Sequence, residues 1–352
     1  MASIDTLWFT RCPVPTATGL AYRLGWLEEE FKPDGIRVKT LQEVGGDLAR
    51  HHYDHQLPTL VREGGNLLAL PARAQGAPTR LVGLTWIDEA QSIIVRPDSD
   101  LRTPGQLKGR RLALPAFRQE DLAANTRGRS IARGMSLAGY HGALRSVGLT
   151  LDDVKLVEVH DAEEPSRGLG RQRAGSNWFG AFDALERGEV EGLYVKGAAA
   201  AETALQRGLH VGIDLDQLPE RRFRVNNGTP RPITVHEELL ENHFELLVRF
   251  LTQTLRAAEW AKENLEGVRN VLEGETRANS AGVEAAYRAS FHLALAPDLS
   301  SERVELFRQQ KDFQLVHGFL DRDFDYDGWI DRRPLEEAQR RLAAASGNSV
   351  AA

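Results

Sequence analysis

The chain has 352 residues, 41% of them hydrophobic and 27% charged, enough for one large or two ordinary globular domains with real cores. A net charge of −6 gives no electrostatic case for nucleic acid, and a single cysteine excludes an internal disulfide and any cysteine-cluster zinc site. Without a basic and apolar leader or a run of about eighteen apolar residues, the expectation is a cytoplasmic protein with no membrane span.

The first thirty residues organise the rest. Leu7-Trp8-Phe9 is a short apolar strand. Pro13 and Pro15 then end any ladder, because neither has an N–H to donate. From Thr16 the period turns helical, with Leu20, Leu24, Leu27 and Phe31 on one stripe. Cys12 therefore lies past a strand and before a helix N-terminus, where free N–H groups and the helix dipole favour a thiolate. The competing reading is a small buried hydrophobe.

Pro33-Asp34-Gly35 is a turn, and residues 36–41 alternate as a half-buried strand. Residues 44–65 mix histidines and glycines around a short apolar segment. Residues 80–86 and 92–96 read as strands, and the polar stretch 97–104 as a crossover into a second domain. That domain opens on a glycine turn and a strand ending at Pro115. Residues 121–148 are helical in parts, interrupted by glycines. Residues 155–159 and 190–195 are further strands, residues 161–175 a loop, and residues 182–188 a helix closed by glycine. Residues 210–215 lead back to the first domain. From Pro232 the pattern is helical, with Leu239, Leu240, Phe244, Leu247, Leu251 and Leu255 on one stripe. Strands alternating with helices predict α/β lobes with largely parallel sheets and a cleft between them: lobe I from 1–97 and 211–352, lobe II from 98–210.

A second stretch carries chemistry. Arg50-His51-His52-Tyr53-Asp54-His55 precedes Arg62-Glu63-Gly64-Gly65. An arginine forks onto two oxygens of an anion, paired glycines admit backbone N–H groups to the same anion, and an imidazole orients or deprotonates a thiol. Two other groupings invite a metal. Asp323-Phe324-Asp325-Tyr326-Asp327-Gly328 copies the start of a calcium loop, but Pro334 stands where the bidentate glutamate belongs, so a solvated acidic turn is expected. His51, His52, Asp54 and His55 lack a matching second ligand pair, and no metal is expected there either. Trp178 and Phe179, in a glycine-flanked loop, are candidates for a mobile cleft wall, with packing the favoured role.

Arg11-Cys12-Pro13-Val14-Pro15 after an apolar strand, together with Arg62-Glu63-Gly64-Gly65, resembles the 2'-hydroxybiphenyl-2-sulfinate desulfinase family. The resemblance implies release of sulfite from an aromatic sulfinate without a cofactor. It places the catalytic groups at Cys12, His52 and Arg62, with Gly64, Gly65, His55 and Tyr140 binding substrate. His52 is chosen because the family's histidine precedes its arginine by ten residues; His55 is second. Tyr140 stands where the family has a tryptophan, and Arg11 where it has a smaller polar residue.

Leu107-Lys108-Gly109-Arg110-Arg111 and residues 184–192 are similar to segments of type II periplasmic solute-binding proteins, so the implied fold is the two-lobed type II periplasmic-binding-protein-like one. That fold is shared by enzymes and by receptors for sulfonate-type anions of transport systems, which is the rival reading. Enzymes of thiamine-pyrimidine type on this fold carry a cysteine-rich iron motif that one cysteine cannot build. A monomer is expected.

Overall fold

The computed structural model describes residues 4–44, 46–117, 119–160, 178–276, 278–288 and 290–349. Among the described residues ten strands form two five-stranded sheets: β1 (Thr6–Arg11), β2 (Arg37–Thr40), β3 (Leu60–Glu63), β4 (Thr79–Thr85), β5 (Gln91–Val95), β6 (Arg111–Pro115), β7 (Lys155–Val159), β8 (Gly192–Lys196), β9 (His210–Asp214) and β10 (Arg231–His236). The first sheet runs β2-β1-β3-β10-β4 and the second β7-β6-β8-β5-β9. Each has its own apolar core, so the two-lobed α/β architecture is present.

Several elements depart from the expected ones. β5 and β9 both belong to the second sheet, each pairing within it antiparallel. The crossovers therefore span 86–90 and 215–230, not the boundaries at 97 and 210. Periodicity marks residues 92–96 as a strand but says nothing of which sheet it joins. Both sheets are mixed: β10 is antiparallel to β3 and β4. The helical reading from Pro232 is corrected here, because Ile233-Thr234-Val235 is a β-branched run buried in the middle of a sheet. The loop predicted at 161–175 lies outside the described residues.

Glycines do not break the helix Ile131–Arg145; they let it pack closely. A Cβ at Gly139 would enter the ring of Tyr194, and one at Gly142 would meet the Phe223 carbonyl. Later, the helix Phe244–Glu263 lays Leu247, Leu251 and Leu255 against the first lobe, with Thr254 touching Thr18 of the helix Ala17–Arg23. Among the described residues no helix is long and apolar enough to cross a membrane.

The lobes are tied by buried amides. Asn66 Nδ2 donates to the carbonyls of Asn226 and Pro230 at 2.8 and 3.1 Å, while its Oδ1 accepts from Gln310 and Gln314. Asn226 Nδ2 then donates to the Met135 carbonyl (3.0 Å) and the Tyr194 hydroxyl (2.8 Å), both in the second lobe. Phe313 and Phe319, from the C-terminal part of the chain, pack into the second core. Removing one member of such a network strands the others without water. Asn226→Ala is expected to cost about 2–4 kcal/mol, read as a fall in the urea midpoint at unchanged slope.

Candidate active site

Sheet register assembles the site. β1 and β3 are parallel neighbours with Thr10 opposite Arg62 and Arg11 opposite Glu63, so the next residues, Cys12 and Gly64, leave the strand ends side by side. Successive side chains alternate faces. Thr10, Cys12 and Arg62 consequently share one face, while Phe9, Arg11 and Glu63 take the other. The contacts follow that parity. Arg11 forks onto Glu275 at 2.9 and 2.6 Å and lies over the rings of Phe9 and Tyr22, away from the sulfur. Its burial thus anchors the strand to the helix Leu265–Thr276 instead of joining the site.

Cys12 is half-buried, and its Sγ accepts the Gly65 N–H at 3.2 Å. The helix terminus that reaches the sulfur is therefore that of Asn66–Ala74, whose N-cap is Gly65, and not the one after Thr16 expected from sequence order. Arg62 is 1% exposed. Its Nη2 donates to the Gly65 carbonyl at 3.1 Å, while Nε and Nη1 have no partner. The glycines are required by close approach: a Cβ at Gly64 would stand 2.7 Å from the Arg62 guanidinium, and one at Gly65 would collide with Asn227. Burial, opposed by the interaction with the Cys12 sulfur, brings the Arg62 guanidinium down to about 10.

Two histidines lie behind the arginine. His52 is buried and its Nδ1 is 2.7 Å from Thr10 Oγ1. Burial first, and the Arg62 charge second, lower its pKa to about 3, so the ring is neutral. Gln42 Nε2 donates to Thr10 Oγ1 at 2.8 Å and to the Arg11 carbonyl at 2.6 Å. Thr10 Oγ1 thus bridges Gln42 and the neutral His52 ring. His55 holds a left-handed backbone (φ 57°), bonds the His52 carbonyl through Nε2 at 3.2 Å and leaves Nδ1 without a partner. Burial, then the Arg62 charge, holds it well below the ordinary histidine range. His51 instead pairs with Asp54 at 2.7 Å.

Tyr140, expected at the substrate, is a core residue. Its hydroxyl donates to the Ala113 carbonyl (2.8 Å) and accepts the Tyr194 N–H (2.9 Å), fastening the helix Ile131–Arg145 beneath the second sheet. The helical period around it carries the residue inward. Trp178 is also buried and packs in the second core, with its indole N–H unpartnered; this agrees with packing rather than a cleft wall. Phe179 begins the helix Phe179–Glu186. The acidic turn is held by internal pairs: Asp323 with Lys311, Asp325 with the Gly328 N–H, Asp327 with Arg308. Among the described residues no three His, Cys, Asp or Glu side chains gather to hold a metal.

Sequence reading missed Arg231. It is the first residue of β10 and 3% exposed, and its guanidinium lies beside the Cys12 sulfur with Nε and Nη1 unpartnered. The strand it opens is read as helix from Pro232 on, which concealed it. Around it stand Glu63, Glu89 and Lys196. Lys196 Nζ is 3.4 Å from Glu89 Oε2, and Tyr287 donates to Glu89 Oε1 at 2.8 Å.

The neutral histidine makes a pH prediction. A histidine held down in the folded state leaves the unfolded chain binding more protons between its two pKa values, so stability is full above about pH 6.5 and falls as pH drops toward 3. At pH 5 the His52 contribution is about 2 kcal/mol smaller than at pH 7. Urea melts at the two pH values are expected to show at least that loss in the wild type, His55 adding to it, and a smaller one in His52→Gln.

Residues 20–266 match the NMT1/THI5-like family. The 2'-hydroxybiphenyl-2-sulfinate desulfinase of Rhodococcus erythropolis is 26% identical to this chain over 96% of it and 94% of the relative, and that of Rhodococcus qingshengii is equally similar. Among solved structures, the desulfurization enzyme DSZB superposes with a TM-score of 0.73 at 24% identity, covering 96% of this chain and 99% of that one. A variant of that enzyme in complex with biphenyl-2-sulfinic acid superposes equally well. The periplasmic aliphatic sulphonate binding protein SsuA of Escherichia coli matches with a TM-score of 0.65 at 15% identity, over 94% of this chain and 93% of that one. The fold is thus the type II periplasmic-binding-protein-like one, the chain is similar to the sulfinate desulfinases, and it belongs to the NMT1/THI5-like family.

Proposed function

We propose that this protein is a cofactor-independent desulfinase that cleaves the carbon–sulfur bond of an aromatic sulfinate and releases sulfite. One observation carries the reading. A buried arginine with two unpartnered nitrogens stands by a cysteine whose sulfur already accepts an N–H. An oxyanion seated against Arg62 and the Gly65 N–H satisfies those donors and brings its sulfur to Cys12. The likeness to proteins that act on or bind aryl sulfinates supports the same ligand class.

The state of His52 bears on the step. A buried neutral ring bonded to Thr10, its pKa lowered to about 3 by burial and then by the Arg62 charge, is a poor base for the thiol. This favours Cys12 as the proton source. The thiol proton passes to the ring carbon that bears sulfur, and the carbon–sulfur electron pair stays with the arene. Sulfur dioxide leaves and adds water to give hydrogen sulfite and a proton, which restores the thiol. In the competing route a thiolate attacks sulfur, the arene leaves with a proton, and water hydrolyses the Cys12–SO2 adduct. Only the second route leaves that adduct in a quenched turnover.

The rival reading is a receptor for a sulfonate-type anion, as the likeness to SsuA allows for the fold. It gives Cys12 no task, and the buried amides joining the lobes resist the opening that a receptor needs. Tight binding of an alkanesulfonate without sulfite release from any sulfinate would favour it.

Assay of sulfite release over a panel of aryl sulfinates is expected to find turnover in the wild type and a loss of at least about 1,000-fold in Cys12→Ser. Turnover undiminished in Cys12→Ser would refute the assignment. Thr10→Val frees His52 Nδ1 and is expected to lower kcat by about 10-fold or more with little change in KM. Thr10→Ser, which keeps the hydroxyl, is expected to restore it.

A further inference from the structure

The orphaned donors around Cys12 outnumber what one arginine supplies. Arg62 and Arg231 are both almost fully buried, and each leaves Nε and Nη1 without a partner. A buried charged donor with nothing to bond is costly, and two like charges side by side cost more. That repulsion is visible: the Arg231 charge helps lower the Arg62 guanidinium, after burial and against the pull of Cys12. Arg231 stays charged because the Cys12 sulfur and the carboxylates of Glu89 and Glu63 together outweigh its burial. The chain around it is shaped to hold it. Gly228, at φ +87°, lies against the guanidinium where any Cβ would collide with Nη2.

Resting on the desulfinase reading above, we propose that Arg231 is a catalytic residue, the second arm of an oxyanion clamp that grips the sulfinate together with Arg62 and the Gly65 N–H. A sulfinate offers two oxygens, each able to accept more than one bond, so a single group satisfies both guanidiniums and relieves their repulsion. The second arm gains importance as the reaction proceeds. Once sulfur dioxide takes up water, the product has three oxygens, and hydrogen sulfite meets donors on two sides. Sulfite is accordingly a ligand of the free site as well as the product.

Calorimetry with two unreactive probes, benzenesulfonate and inorganic sulfite, tests this in the intact chain. Arg231→Gln and Arg62→Gln are each expected to weaken both probes by about 100-fold. Arg231→Lys, which keeps the charge but not the fork, is expected to recover part of the loss. Benzenesulfonate binding to Arg231→Gln within twofold of wild type, with Arg62→Gln impaired, would overturn the clamp, as would a wild type that binds neither probe. Should Arg231→Gln fail to fold, a crystal structure of wild type with benzenesulfonate decides. Sulfonate oxygens at hydrogen-bond distance from both guanidiniums support the clamp, and oxygens on Arg62 alone refute it. If the clamp holds but no sulfinate yields sulfite, the desulfinase reading fails and the anion site stands.

Discussion

The pairing of β1 with β3 is the constraint on which the site depends. It sets a cysteine beside an arginine fifty positions later and gives both the same face of the sheet. A shift of one residue would turn Arg62 to the Glu275 side and Glu63 toward the sulfur, because side chains alternate along a strand. Register is held by the apolar residues between: Leu7 and Phe9 on β1 and Val61 on β3 are fully buried in the first core. The chemistry is thus positioned by packing that takes no part in it.

The polar residues near Cys12 form an arrangement that packing alone does not satisfy. Two guanidiniums, an ammonium and two carboxylates lie within a protein interior, several with atoms that bond nothing. In a region built only for stability, apolar side chains of similar volume would serve as well or better. Neutral histidines next to Arg62 follow from the same burial, since a further positive charge there would lose its water and be repelled by the guanidinium. The fold accepts this cost because the cores of both lobes and the amide network between them hold the surrounding backbone in place.

That amide network also separates this chain from a simple hinged pair of lobes. Asn66 and Asn226 meet where the segment returning from the second lobe passes the helix Asn66–Ala74. The helix Ser301–Val316 adds Gln310 and Gln314 to the same point. Two backbone carbonyls and two side chains, from two distant parts of the sequence, therefore close on the Asn66 carboxamide, and parting the lobes there would strand them.

Much of the local structure was written in the order of residues. Leu7-Trp8-Phe9 followed by Pro13 and Pro15 defined a strand that stops, and the isolation of Cys12 and the adjacency of Arg62 to Gly64-Gly65 are facts of sequence. Those are short-range properties, governed by backbone sterics and period. Which strand joins which sheet was decided elsewhere: β5 and β9 in the second sheet, β10 between β3 and β4, Tyr140 turned into a core, Thr10 and Gln42 linked to His52, and Arg231 brought to the sulfur from 219 positions away. Hydrogen-bond ladders and buried charges pair groups without regard to their separation along the chain, so only the folded molecule determines them.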